Sequence, residues 1–473
     1  MNNPLSHTQT QIPTLLDDNN NEVTSPKDKL DLLLNTFMTP PQPKEFDQAT
    51  NQHYADIDKD ATEIREEFKR PNYHQTNLYS LLNRPIPLLE IERTISKLEN
   101  NKSPGPDAIP NSFLKRLSKN ALIAVQKLFN QSLNTGIYPR VWNSANISPI
   151  PKPGKPHTKA THFRPIAVSS CLGRVLEKIL ADRLQLYCIK KQIFNNNQAG
   201  FQTNRSTTDL LTLLINDARS CLDNYEPCHM VTIDYSKAYD TVWHSGLLHK
   251  LSRLYNINGK ILRWLNSFLS GRYARTINNG NFSNWRHRKI GVPQGSSLSP
   301  ILFILYTNDY QLQHPDNINM GTFADDTLFW SKPFTQNNQR ITALLQNELN
   351  LFNHWSTRWK LVINASKCEY IRIKGYFTTR FKDPPVFQIA GTTLNNVQSL
   401  KYLGLWIDDR LTFGKHIERI KMACMGRLCS LYKLSANYAL KSDTIMTIYK
   451  TQTKPIWEYA LQIYWNATAQ TPK

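Results

Sequence analysis

No apolar run in this sequence approaches the roughly 18 residues that a membrane-crossing helix needs. The longest, ILFILY at 301–306, has the length of a core strand or short core helix. A secretory signal is also missing, because the N-terminus is polar and acidic where a charged-then-apolar start is required. Seven cysteines, an odd number, are scattered with no CxxC pair and no Cys/His cluster at zinc spacing. That argues against a zinc knuckle and points to a reducing compartment. Acidic residues are scarce, 37 Asp and Glu against 57 Lys and Arg, and those present crowd the start of the chain. Residues 1–70 carry 7 basic and 13 acidic side chains, so the overall +20 becomes +26 on residues 71–473. A basic body of that size attracts a polyanion, and interleaved aromatics offer surfaces on which bases stack.

With 473 residues the chain predicts roughly two to four packed units, at about 100–200 residues each. Hydrophobic residues at 40% and aromatics at 10% exclude wholesale disorder. Residues 1–87 read as a polar leader or linker with one apolar patch (Leu30, Leu32, Leu33, Leu34, Phe37) able to form a helix before Pro40 and Pro41. Helical spacing begins at Leu88, Ile91, Ile95 and Leu98. A second run follows on Leu117, Ala121, Val125, Leu128 and Phe129, with Gly136 as its cap. Five prolines and four basic residues within 147–170 predict a strand–loop–strand ribbon with a basic tip. Helices are expected at 172–190 and 206–222, an alternating strand at 229–236 and a helix-rich insert at about 244–270. Further on come a helix at 301–310 and a hairpin around 322–330 with Asp325-Asp326 as its two-residue turn. A helix at 336–357, a strand pair at 361–373, one strand at 398–408 and two closing helices complete the reading. The alternation predicts an α+β domain followed by a helical one.

Two segments carry chemistry, DYSKAYD at 234–240 and FADD at 323–326. If their strands are neighbours in one sheet, Asp234, Asp325 and Asp326 converge at one edge. Such a cluster stays ionised only beside cations, and hard oxygen ligands suit Mg²⁺. Two such ions about 4 Å apart would clamp an in-line phosphoryl displacement. Taken singly, an Asp-Asp pair in a turn is ordinary turn chemistry and a strand-end Asp is commonly a helix cap. The combination carries the argument.

From about Leu88 onward the sequence resembles the reverse transcriptases of non-LTR (LINE-type) retrotransposons, and within them the Jockey-like group. The resemblance rests on NKSPGPDAIP (101–110), IPKPGK followed by FRPIAVSSCLGRVLEKIL (150–180), NQAGFQTNRSTTD (197–209), DYSKAYDTV, GVPQGSSLSPILFILYTND, FADDT, WSTRWKLVINASKCEYI (355–371) and LKYLGLWIDDRLTFGKHI (400–417), in the family's order. It implies a right-hand polymerase with a palm built on an antiparallel sheet: N-terminal extension and fingers at 88–228, palm at 229–397, and a primer-contact strand with the start of a helical thumb at 398–473. The reverse transcriptase domain would cover about 133–408.

Residue by residue, the resemblance implies Asp234, Asp325 and Asp326 as metal carboxylates, with the main-chain carbonyl of Tyr235 as a further ligand. The cofactor would be two Mg²⁺ ions, or Mn²⁺. Tyr239 would lie beneath the sugar and exclude a 2′-hydroxyl. Lys152 and Arg164 would reach the incoming triphosphate, Gln294 and Gly295 the template or nucleotide, and Lys367 would protonate the leaving pyrophosphate. Phe323, which stands where many relatives carry Tyr, would touch the primer together with Tyr402, Leu403 and Gly404. Asp240 is assigned to structure. The implied partners are template RNA, primer or target DNA, deoxynucleoside triphosphates and a separate endonuclease that supplies the nick, in a nuclear and cytoplasmic ribonucleoprotein that is neither secreted nor membrane-bound. The family's endonuclease is not present in the sequence, and its thumb runs past the equivalent of Lys473. The chain is therefore expected to be a fragment or a degenerate copy. Two alternatives stay open: a catalytically silent copy that binds RNA, and a group II intron-type reverse transcriptase.

Overall fold

The computed structural model describes residues 12–41, 47–71, 73, 81–202, 205–333, 338–374, 383–438 and 440–465. It is mixed helix and sheet, as the alternating pattern predicts. Two compact units form, each from segments distant in the chain. The first joins Met1–Asn195, Ser236–Asp309 and Thr357–Val362; the second joins Asn196–Tyr235, Tyr310–Ser356 and Ile363–Lys473. No helix among the described residues is long and apolar enough to cross a membrane.

The first unit contains the expected ribbon, strands Ser144–Pro151 and Phe163–Val168 paired antiparallel. Its prolines sit where a sheet tolerates them. Pro165 lies on the edge strand, and the parallel pairing of Ser144–Pro151 with Arg272–Asn278 stops at Ile147, before Pro149 and Pro151. One face of this sheet is covered by the helix Pro26–Met38, whose Leu30, Leu33, Leu34 and Phe37 recur at helical spacing and pack on Ile147, Ala160, Phe163 and Ala274. The apolar patch of the 1–87 leader thus forms the helix that its spacing allows, and four buried apolar side chains at about 1.5–3 kcal/mol each offset the entropy of ordering it. Leu33→Ala should cost about 2–5 kcal/mol in denaturant melts; a loss below 1 kcal/mol would mean that this helix is not part of the folded unit. The acidic helix Gln48–Glu67 is held differently, Asp60 pairing with Arg253 at 2.9 Å and with His249 at 2.7 Å.

In the second unit a five-stranded sheet has the order Asn395–Asn396, Glu369–Ile373, Cys228–Ile233, Asp326–Ser331, Ile318–Phe323. All pairings are antiparallel except that of Asn395–Asn396 with Glu369–Ile373. Cys228–Ile233 does not alternate between buried and exposed, contrary to expectation, because it is central and covered on both faces. Leu211, Leu214, Ile215 and Ala218 of the helix Thr207–Asp223 cluster with Met230, Leu328 and Trp330. Phe352 of the helix Asn338–Arg358 meets Phe329 at 5.0 Å between ring centroids. The strand pair expected at 361–373 is one strand, Glu369–Ile373, preceded by a single-turn helix at Ala365–Lys367. Asn364 and Ser366, both turn formers, bond side chain to side chain there.

The stretch 398–408 is a hairpin rather than one strand. Ser399–Tyr402 and Leu405–Asp408 are joined by Leu403-Gly404, with φ of 44° and 87°. A two-residue turn of this kind needs positive φ at both positions, which Gly404 accepts freely. Beyond it the long helix Gly414–Tyr438 is followed by a second helical run, Ser442–Ile448 continuing through the π-helical Tyr449–Thr453 into Lys454–Glu458, and then by the single turn Leu461–Tyr464, one element more than the two closing helices expected.

Candidate active site

Cys228–Ile233 delivers Asp234 one step past its last pairing, Ile233 with Thr327. The neighbouring hairpin pairs Phe323 with Asp326, so its turn is Ala324-Asp325, one residue earlier than expected, and Asp326 begins the returning strand. Ala324 takes φ 60°, the left-handed backbone that such turns require. The turn is clamped by the segment 197–200. Gln198 Oε1 accepts from Gly200 N at 2.7 Å and from Ala324 N at 3.2 Å, while Ala199 N donates to Thr322 O at 2.9 Å. A Cβ on Gly200 would stand 2.5 Å from Ala324 N, so a glycine is needed there. Nothing local in NQAGFQTNRSTTD marks it as the clamp of a turn more than 120 residues later.

All three aspartates therefore stand at one end of the sheet. The carboxyls of Asp325 and Asp326 keep contact with water, yet the surrounding protein and neighbouring carboxylates disfavour their ionisation. Asp325 is raised above the ordinary carboxyl value by burial and by Asp234. Asp326 is pushed up to about 6 by burial, Asp325 and Asp234, with Lys401 opposing. Among the described residues no three His, Cys, Asp or Glu side chains form a ready metal-binding group. Mg²⁺ is ordinarily held by one or two carboxylates, waters and substrate phosphates rather than by an all-protein cage. The mutual repulsion of Asp234 and Asp325 and their hard oxygens fit such a cation. Asp326, coupled by charge to both Asp325 and Asp234, also interacts electrostatically with Lys401 and the Tyr402 hydroxyl.

A pH dependence follows. Asp326 binds its proton more tightly in the folded chain, so its stabilising contribution is complete below the ordinary 3.8 and is lost as pH rises through about 6. In divalent-free buffer, Asp326→Asn should remove that loss. Parallel melting-temperature profiles of variant and wild type between pH 4 and 6 would overturn it.

Lys367 Nζ lies 3.4 Å from Asp234 Oδ1, in a pair whose side chains are 65% and 40% exposed, so its attraction is screened. Tyr235 is bridged to Ile363, and its ring is buried against Phe352. Asp234 N, in turn, meets Cys368 Sγ at 3.4 Å, a contact the sequence did not suggest. Of the expected primer contacts, Phe323 is tilted against Phe201 at 6.4 Å. The Tyr402 ring is buried and its hydroxyl donates to Gly321 O at 2.9 Å, leaving it occupied in the core. Leu403 O accepts from the Tyr459 hydroxyl, and a Cβ on Gly404 would lie 3.3 Å from the Tyr459 ring.

The first unit gathers the other expected residues. Arg164 is exposed on the ribbon, while Lys152 Nζ donates to Thr161 O at 2.8 Å. Gln294 O accepts from Ala167 N at 2.8 Å, and Gly295, at φ 119°, lies so close that a Cβ would be 2.5 Å from Ala167 O. The Gln294 side chain donates to Asp240 at 2.9 Å, and Arg288 pairs with the same carboxylate at 2.5 Å. Tyr239 stacks on Phe303 at 4.8 Å and its carbonyl accepts from Val292 N. Arg288 was missed: nothing local in Arg286–Arg288 marks it as the partner of a carboxylate 48 residues earlier.

Comparison with known proteins places this geometry. The family model for Reverse transcriptase (RNA-dependent DNA polymerase) matches residues 150–407. The chain is 30% identical over 387 residues to the RNA-directed DNA polymerase from mobile element jockey of Drosophila funebris, covering 80% of this chain and 41% of that protein. It is 31% identical over 402 residues to the probable RNA-directed DNA polymerase from transposon BS of Drosophila melanogaster, covering 83% and 43%. The chain thus spans less than half the length of these curated relatives. Among solved structures, apo telomerase from Candida tropicalis truncated from its C-terminal domain is similar at a TM-score of 0.39 and 17% identity, covering 64% and 60%, a likeness too loose to carry an argument. The family match takes in the ribbon, the carboxylate hairpin and the Gln294-Gly295 loop, more than half of the sequence, and the chain belongs to the reverse transcriptase (RNA-dependent DNA polymerase) family.

Proposed function

We propose that the chain copies an RNA template into DNA, adding deoxynucleotides to a primer 3′-hydroxyl as part of a non-LTR retrotransposon. The observation that carries this reading is the placement of Asp234 and Asp325 at one sheet end, where Asp234 disfavours the charge of Asp325. Divalent cations, when bound, would lower the pKa of the attacking hydroxyl and neutralise the leaving pyrophosphate. Asp234 and Asp325 would hold them, with the Tyr235 carbonyl and Asp326 as further oxygen donors. Lys367 is the cation next to Asp234 and would give its proton to the departing group. Arg164 and Lys152 would bind triphosphate, the first as a planar fork and the second as a point charge. Tyr239, its ring held against Phe303, would bar a 2′-hydroxyl. Template RNA, primer DNA and deoxynucleoside triphosphates are the partners, with fingers over 88–228, palm over 229–397 and the start of a thumb beyond.

Primer extension on an RNA template with Mg²⁺ tests the proposal, comparing wild type with Asp234→Asn. Incorporation by wild type and its loss in the variant are expected. Equal incorporation by both would remove the carboxylates from the chemistry. No incorporation by wild type beside tight, salt-sensitive RNA binding would favour the silent RNA binder.

A further inference from the structure

Residues 108–176 and 241–308 contain no Asp or Glu, yet carry ten and nine Lys and Arg respectively. These two acid-free segments supply every strand of the first unit's five-stranded sheet. One face of that sheet is covered by the helix Pro26–Met38. The opposite face carries exposed and half-exposed side chains among the described residues, and the strand register fixes their order. Ile150 pairs with Arg164 and Ser148 with Ile166 on the ribbon; Ile150 and Ile166 are 46% and 40% exposed. Parallel pairing of Asn146 with Arg275 continues that face onto the Arg272–Asn278 strand. There Tyr273 lies opposite His287 with rings 5.2 Å apart, and Ile277 lies opposite Phe282.

The aromatics on this side face water. Tyr273 is 47% exposed, Phe282 and Trp285 each 41%. Arg275 is fixed among them: its guanidinium carbon is 4.0 Å from the Phe282 ring centre and 4.5 Å from that of Trp285, and its Nε donates to Asn146 Oδ1 at 3.0 Å. A flat cation pinned between two rings is preorganised rather than sweeping through water, so little entropy is lost when something stacks on it.

From these observations we infer that this open sheet face is a stacking platform for an unpaired strand of template RNA. A single strand offers π-faces to Tyr273, Trp285 and His287, and phosphates to Arg275; no strand residue of the sheet offers a carboxylate to repel them. Strands about 4.8 Å apart spread this face over roughly 14 Å, from the Phe163–Val168 strand to Arg286–Arg288. Stacking reads no base edge, so the platform is sequence-tolerant and excludes duplex, whose bases are already stacked. The inference rests on the polymerase reading only in naming the strand as template.

The test measures binding of labelled oligouridylate to the full chain by fluorescence anisotropy, beside duplex RNA of equal length. Tyr273→Ala and Trp285→Ala should each weaken single-strand binding about tenfold. Tyr273→Phe and Trp285→Phe should retain it, and duplex affinity should stay unchanged. Unaltered single-strand affinity in both alanine variants, an equal loss on duplex, or phenylalanine variants as weak as alanine ones would overturn the platform. RNA-free self-association abolished by the same substitutions would assign the face to a second copy and also overturn it. Primer extension by the unsubstituted chain is scored separately: its absence, with the single-strand losses intact, sinks the polymerase reading and leaves the platform standing.

Discussion

Asp325→Asn should lower primer extension about a thousand-fold while leaving the fold at least as stable. Metal-borne charge stabilisation supplies several kcal/mol in phosphoryl transfer, and each ~1.4 kcal/mol is a factor of ten in rate. The stability half of the expectation separates chemistry from structure. Asp325 is a carboxyl whose charge is disfavoured by burial and by Asp234, so a neutral isostere removes an unfavourable term. Without divalent cations its melting temperature should therefore rise. A variant that loses activity and also melts earlier would show Asp325 to be a structural residue of the turn. Undiminished incorporation would show that the pair does not carry the reaction.

Arg288→Ala should cost about 3–5 kcal/mol of stability, more than the other single substitutions considered for the first unit. Asp240 is 7% exposed and its carboxyl is already raised by burial; Arg288, 13% exposed, is what chiefly opposes that rise. Removing that cation leaves a buried charge with only the Gln294 amide and the nearby Lys237 to offset it, the costly way to break such a pair. Replacing both partners by apolar residues should cost markedly less, so Asp240→Leu combined with Arg288→Leu should be more stable than Arg288→Ala alone. Gln294 donates to the same carboxylate, so the loop that carries Gln294 and Gly295 loosens with it. Denaturant melts of the two variants decide the point; a loss under 1 kcal/mol for Arg288→Ala would show the pair to be well solvated.

Much of the fold was legible because it is written in local patterns. The proline-rich ribbon at 144–168, the helices at 171–190 and 207–223 and the carboxylate hairpin follow from composition and period within a dozen residues. The Jockey-like resemblance, drawn from motifs in order, holds at about 30% identity over 80% of the chain. What stayed hidden depends on partners far away in sequence. The leader helix Pro26–Met38 looks like an isolated patch until Ile147 and Ala274 are brought beneath it. The exact turn residues could not be read either, since a one-residue register change needs the ladder between Phe323 and Asp326 and the clamp from Gln198. Nor does the sequence show that the hydroxyl of Tyr402, a residue expected at the primer, bonds to Gly321 in the core.

The aspartates divide along the same line. Sequence alone determined that Asp234 ends a strand, that Asp325 and Asp326 lie at a hairpin, and that residues 71–473 are basic and aromatic-bearing, because strand and turn preferences act between near neighbours and charge is read by counting. Only the tertiary structure decided which aspartate occupies the turn, which carboxyls feel one another's charge, and that the partner of Asp240 is Arg288. Electrostatic coupling and burial depend on distance in space, and chain order does not encode that distance.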